Sequence, residues 1–259
     1  MTSPQTRNFP ALNQSEQSWE LSLRALAGTL FPSVGIISGL VAGLPASGLK
    51  PTLTNGYAIS GDRVVGPFGA ELIGAAPKNA TRIGLFYRNT GELIYLALDS
   101  TDRKATDLLI AEVSTDNETT AAIRHIAQYR TVGVNRTLVK AFINLEKCAK
   151  GADVTFASLP KPAGASHLYI EMAYARVQGA ASAGNTAGDD FVLKAGSTAL
   201  VTLDDAVLVT AGTTVLKTAA ATDLRPSTET TLELKYNQTD TSTAITGGVV
   251  EVGVLVSAI

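Results

Sequence analysis

Cysteine is nearly missing from this chain: Cys148 stands alone among 259 residues, so no intrachain disulfide and no cysteine-built zinc cluster can form. Histidine is almost as scarce. Only His125 and His167 offer an imidazole base, so acid–base chemistry would fall mostly to carboxylates. His125 sits in Ile123-Arg124-His125-Ile126 and His167 opens a strand pattern, positions that suit packing or surface roles. Charge is thin as well. Charged residues make up 17% of the chain against 45% hydrophobic, which supplies a core but leaves a surface poorly shielded by ions, as expected of a protein that buries area against neighbours. A formal net charge of −2 leaves no electrostatic footprint for nucleic acid, and no such partner is expected.

The usual enzyme signatures are missing too. No Gly-x-Ser-x-Gly elbow, phosphate-cradling Gly-x-x-x-x-Gly-Lys-Ser/Thr loop or His-Glu-x-x-His zinc helix occurs. Two carboxylate pairs remain, Asp189-Asp190 and Asp204-Asp205. Adjacent aspartates point to opposite faces of a strand or bond nearby backbone at turns, so they read as turn chemistry before calcium or glycosidase chemistry. Arg82, Arg88, Arg103, Lys104, Arg124 and Arg130 are interleaved with Glu92, Asp99, Asp102, Asp107 and Glu112, a pattern that predicts ion pairing and no basic patch. No catalytic residue, metal site or cofactor is expected.

Ala25 to Leu49 carries no charge, yet Pro32, Pro45 and five glycines interrupt it, so it predicts packing against protein and no membrane span. Met1 to Asn8 is polar and lacks the pattern of a secretory signal. A cytoplasmic site of assembly is expected.

Ser15 to Leu30 has the pattern of an amphipathic helix: Ser15 can cap it, Trp19, Leu23, Leu26 and Leu30 recur at helical spacing, and Pro32 ends it. Such a stripe must dock on the following domain or bundle with copies of itself. Beyond it the chain reads as mainly β. Leu49–Ile59, Arg63–Val65, Arg82–Arg88, Glu92–Leu98 and Leu108–Thr115 are short β-prone runs, with a hairpin through Asn89-Thr90-Gly91. Further runs follow at Thr137–Leu145, Asp153–Ala157, Leu168–Val177, Phe191–Lys194, Ala199–Leu203, Ala206–Thr210, Thr213–Lys217, Thr230–Tyr236 and Val249–Ser257. Strands about every ten residues predict an antiparallel β-sandwich or jelly-roll-like domain. The expected organisation is an arm and helix over 1–33, a small β module over 34–131 and a sandwich over 132–259. Charge divides in a similar way: residues 1–150 hold 15 Lys/Arg and 12 Asp/Glu, residues 151–259 hold 6 and 11, giving about +3 and −5.

The order of phrases in residues 34 to 130 carries a resemblance. Val34-Gly35-Ile36-Ile37-Ser38-Gly39-Leu40 is followed by Leu49-Lys50-Pro51-Thr52-Leu53-Thr54-Asn55-Gly56-Tyr57-Ala58-Ile59-Ser60-Gly61, then by Ala80-Thr81-Arg82-Ile83-Gly84-Leu85-Phe86-Tyr87, a turn, and Asp107-Leu108-Leu109-Ile110-Ala111-Glu112-Val113. This resembles the N-terminal, particle-attached module of tail-fibre and baseplate proteins of tailed bacteriophages. Gly84 stands where that pattern has Asp. The resemblance implies a structural virion protein, assembled in the host cytoplasm as a homotrimer, which contacts other virion proteins of baseplate, tail or capsid. Host attachment through a surface glycan is a further implied role. Trp19, Leu23, Leu26, Leu30, Ile36, Ile37 and Leu40 are the candidate subunit or particle contacts. A capsid decoration or cement protein is the structural alternative. A lectin-like module or glycan-active enzyme would need an aromatic-lined groove, for which Tyr169, Tyr174, Phe191 and Tyr236 are the candidates in the second half.

Overall fold

The computed structural model describes residues 34–258 apart from 61–62, 69–72, 89, 117–120, 134, 149, 182–189, 219–230 and 240–246. The helix expected over Ser15 to Leu30 lies outside the described residues. The protein is mainly β, with its sheets paired antiparallel.

The strands are β1 (Val34–Ser38), β2 (Ala42–Gly43), β3 (Thr52–Leu53), β4 (Gly56–Ser60), β5 (Arg63–Phe68), β6 (Ile83–Tyr87), β7 (Leu93–Leu96), β8 (Leu108–Thr115), β9 (Ile123–Gly133) and β10 (Arg136–Asn144). They continue with β11 (Val154–Pro160), β12 (Leu168–Gly179), β13 (Phe191–Ala195), β14 (Thr198–Leu203), β15 (Thr214–Thr218), β16 (Thr231–Gln238) and β17 (Val249–Ala258), with a short helix α1 (Asp205–Leu208) between β14 and β15. An eight-stranded sheet runs β15-β12-β17-β10-β9-β8-β6-β7 and a four-stranded sheet runs β11-β16-β13-β14. Two small sheets, β1-β4-β5 and β2-β3, complete the set.

Alternation explains how the layers meet. In β17, Val250, Val252, Val254 and Val256 are buried on one face, and period two sends Glu251, Gly253, Leu255 and Ser257 to the other. In β16, Leu232, Leu234 and Tyr236 are buried likewise. These two apolar sets join Phe156, Phe191, Ala141 and Ile170 in one core between the eight-stranded and four-stranded sheets. Each fully buried aliphatic side chain there contributes roughly 1.5–3 kcal/mol.

A second core lies on the opposite face of the same large sheet. Leu40, Ala42, Leu53, Ala58 and Ile73 pack there with Leu85, Val113 and Ile126. Strand β9 shows the arrangement most clearly: Ala127 belongs to the first core and Ile126 to the second. The two halves of the chain therefore do build separate cores, but the boundary expected between 131 and 132 falls inside β9, which pairs with β10 from Arg136 through Ile143. One sheet spans both.

Three local expectations change. Leu49–Ile59 is not one strand but the separate β3 and β4. Ile123–Gly133, which is not among the β-prone runs read from the sequence, is a strand of 11 residues. Ala206–Thr210 is not a strand. Asp204 caps α1 there, its Oδ1 accepting from the Val207 amide at 2.9 Å. A capping carboxylate outweighs the weak β preference of Ala-Val-Leu-Val. The hairpin expected around Asn89 to Gly91 joins β6 to β7, closed by Gly91 N–H to the Arg88 carbonyl and Arg88 N–H to the Glu92 carbonyl, both at 2.8 Å.

Candidate interaction surface

Of the candidate contact residues, Leu40 is fully buried and belongs to the chain's own core. Its carbonyl accepts from Gln128 Nε2 at 2.8 Å and Arg130 Nη2 at 3.1 Å, which pins the segment after β1 onto β9. That corrects its assignment as a surface contact. Ile36 is half-buried against the same core. The side chain of Ile37, together with Trp19, Leu23, Leu26 and Leu30, lies outside the described residues.

His125 and Cys148 are packed away, while His167 is half-buried. His125 is fully buried between the layers, with Nδ1 at 3.1 Å from the Tyr236 hydroxyl and its ring edge-on to Tyr236 and Phe156. Burial, reinforced by Arg82 and Arg124, holds its pKa down to about 3, so the ring is neutral at physiological pH. Cys148 is buried and burial pushes its thiol up, so it stays protonated. Phe191 stacks on Tyr236, and both are fully buried. Those two aromatics cannot serve a sugar platform. Asp204 caps α1, and the Asp205 carboxylate accepts from the Ala206 amide at 2.8 Å. Among the described residues no three side chains of metal-ligand type come together.

Two of the expected ion pairs form, at buried and half-buried positions. Arg82 is bonded to the buried Glu112, which also accepts from the Tyr129 hydroxyl, and Arg82 Nη1 reaches Ser158 on β11 at 2.9 Å. Arg88 meets the buried Asp107 at 3.4 Å. These bonds satisfy carboxylates that would otherwise be costly to bury, and they fix register between layers more than they add stability.

A cleft of about 240 Å³ opens where β9 turns into β10, lined by Thr131, Thr137, Leu159, Pro160, Leu168 and Val256 among others. Arg136 also lines it, but its guanidinium is bound through two nitrogens to Glu171. The cleft thus offers hydroxyls and an apolar floor without a free charge.

Among the described residues one sheet face stays partly open. On the side away from the four-stranded sheet, the registers of β10, β17, β12 and β15 set side chains in rows. Leu138, Leu255 and Met172 form one, Lys140, Gly253, Tyr174 and Leu216 the next, and Phe142, Glu251 and Arg176 the third. Leu138, Phe142, Leu255, Met172 and Tyr174 are half-buried and Leu216 is 58% exposed. At the centre, Glu251 accepts from Lys140 at 2.6 Å and from the Tyr174 hydroxyl at 2.8 Å, and is bonded to Gln178. Burial opposes ionisation of Glu251, but those bonds together hold its pKa below the usual carboxylate range. The face is largely apolar, with Glu251 bonded internally and the exposed Arg176 beside it.

No protein-family model, curated protein or solved structure matches this chain.

Sequence reasoning does not find this face, because Leu138, Met172, Leu216 and Leu255 are far apart in the chain and meet only through strand pairing. A local signal does exist. Val-Val-Glu-Val-Gly-Val-Leu-Val in β17 alternates one wholly apolar side with one holding Glu251, Gly253 and Leu255. Among the described residues no helix is long and apolar enough to cross a membrane.

Proposed function

We infer that this chain is a structural virion protein of a tailed phage, associated with the tail fibre or baseplate, that assembles as a homotrimer and works by binding and not by catalysis. The observation that carries this reading is one half-covered, largely apolar sheet face in a chain whose His125 and Cys148 are buried and whose buried Glu112 is paired with Arg82. Such a molecule has surface to offer to other proteins and little with which to do chemistry. The ordered phrases that resemble the particle-attached module support it further; they fall on β1, on β3 and β4, on β6 and on β8.

In this reading the two packed layers form the sandwich that faces outward, and the elements around β1 to β5 attach to the particle. The loss of Phe191 and Tyr236 to the core argues against a lectin-like groove. Sedimentation or light scattering on the full chain tests the assembly: a species of three times the 26.9 kDa chain mass is expected, and a monodisperse monomer at micromolar concentration overturns it. Electron microscopy of the parent particle separates tail from capsid surface, the latter favouring the decoration alternative.

A further inference from the structure

On the outer face of the four-stranded sheet, three polar side chains from neighbouring strands converge on one oxygen. Leu234 and Tyr236 of β16 point into the core, so Lys235 and Asn237 point outward. Lys194 of β13 shares that face, because it pairs with Lys235, and Asn237 lies two residues further along. Asp153 sits beside Asn237 on the other side, just before the pair Val154 and Tyr236. Asp153 Oδ1 accepts from Lys194 Nζ at 2.7 Å and from Asn237 Nδ2 at 3.0 Å. The Lys194 side chain is only 21% exposed. Asn237 Oδ1 is buried and has no hydrogen-bond partner among the described residues.

We propose that Lys194 and Asn237 become joined by an amide bond within the chain, with Asp153 carrying the protons. The Lys194 ammonium gives one proton to Asp153 Oδ1, and the freed Nζ lone pair attacks Cγ of Asn237. The Cγ–Nδ2 bond then breaks. Over the reaction Nζ sheds two protons, each passing through Asp153 to Nδ2, which leaves as ammonium and restores the carboxylate. One oxygen in contact with both nitrogens is what such a relay needs, and holding the partners side by side replaces a bimolecular encounter. Reach agrees: diagonal neighbours on antiparallel strands stand about 7–8 Å apart, a distance that a lysine stem and an asparagine carboxamide together span. Burial of Oδ1 keeps water from the carbonyl, which disfavours plain deamidation. The first proton transfer runs uphill, because the bond from Lys194 holds the Asp153 carboxyl below the usual carboxylate range. The reaction is therefore slow and quickens in alkali, but it has to occur only once per chain. Its product ties β13 to β16 covalently. The site lies on the other sheet from the open face, so the inference does not rest on the virion reading.

Intact-mass spectrometry of the full chain tests this. The expected result is a species lighter than the sequence mass by one ammonia, about 17 Da, which accumulates faster at pH 9 than at pH 7 and yields, after proteolysis, a branched peptide joining Lys194 to Asn237. Lys194→Arg keeps the positive charge but has no amine to form the bond, and Asp153→Ala removes the proton carrier. Both variants are expected to keep the full mass, and both substitute side chains at the surface of the sheet, so the fold is spared, which circular dichroism verifies. A folded wild-type chain that stays at full mass through prolonged incubation at pH 9 overturns the proposal. A loss of ammonia that persists in either variant overturns it as well, because the reaction then lies at another asparagine or does not run through Asp153.

Discussion

The ring of Tyr174 lies across Gly253 of the neighbouring strand, so close that a side chain on Gly253 would start 2.1 Å from Tyr174 Cε1. The missing side chain is what lets the tyrosine lie flat and reach Glu251 with its hydroxyl at 2.8 Å. An aromatic ring filling the space over a cross-strand glycine in this way fixes both partners.

Gly253→Ala is therefore expected to destabilise by about 1–3 kcal/mol, the range for overpacking, with part of the loss arising because Glu251 forfeits a donor. Urea denaturation of Gly253→Ala, Tyr174→Leu and the double variant measures it. The double variant should cost less than the sum of the two, by at least about 0.5 kcal/mol, as contacting residues do. Additive losses would show that ring and glycine are energetically separate.

Gly84 makes the same kind of contact on the other side of the sheet. A side chain there would start 2.2 Å from Phe86 Cε2 and 3.1 Å from Leu109 Cδ1, and Arg103 lies over the ring at 5.1 Å from its centroid. The phrase this segment resembles has Asp where this chain has Gly84. Gly84→Asp should destabilise by roughly 2–5 kcal/mol, combining overpacking with a buried carboxylate, and adding Phe86→Ala should recover part of the loss by opening the space. Thermal unfolding of both variants decides the matter.

How much of this is legible in the sequence depends on whether one strand face meets water. In β16, Leu232, Leu234 and Tyr236 are buried and Glu233, Lys235 and Asn237 are not, so period two is plain. Strand β9 is buried on both faces, and its polar residues serve internal bonds: His125 to Tyr236, Gln128 to the Leu40 carbonyl, Arg130 to Gly39. No alternation survives there, and a boundary placed between 131 and 132 looks natural until pairing with β10 is seen. Leu40 misleads in the opposite direction, since an apolar residue in an uncharged stretch reads equally well as surface contact or core. Helix α1 hides because its cap is one aspartate among β-prone residues.

That cap is testable alone. Asp204→Ala should cost about 0.5–2 kcal/mol and Asp204→Asn much less, because asparagine accepts from the Val207 amide equally well. Equal losses in the two variants, read by urea denaturation, would assign the role of Asp204 to its charge and not to capping.

Acid should weaken the protein through His125 well before carboxylates titrate. In the unfolded chain its pKa is about 6.5, and in the fold burial beside Arg82 and Arg124 holds it to about 3. Between those values the unfolded state binds a proton that the folded state refuses, so the stabilisation is complete above pH ~6.5 and is lost as pH falls toward 3. The slope is up to about 1.4 kcal/mol per pH unit. Glu251, whose pKa the fold lowers, adds to the loss only in the acid range below the usual carboxylate value. The groups facing the imidazole are Tyr236 from β16, Phe156 from β11 and the two arginines, and no carboxylate among them compensates a charged ring. Urea midpoints between pH 7.5 and 5 should fall in the wild type and stay flatter in His125→Leu, which also forfeits the bond to Tyr236 and so starts lower. A wild-type midpoint constant across that interval would mean that His125 takes up its proton in the folded protein, with the layers parting enough to admit water.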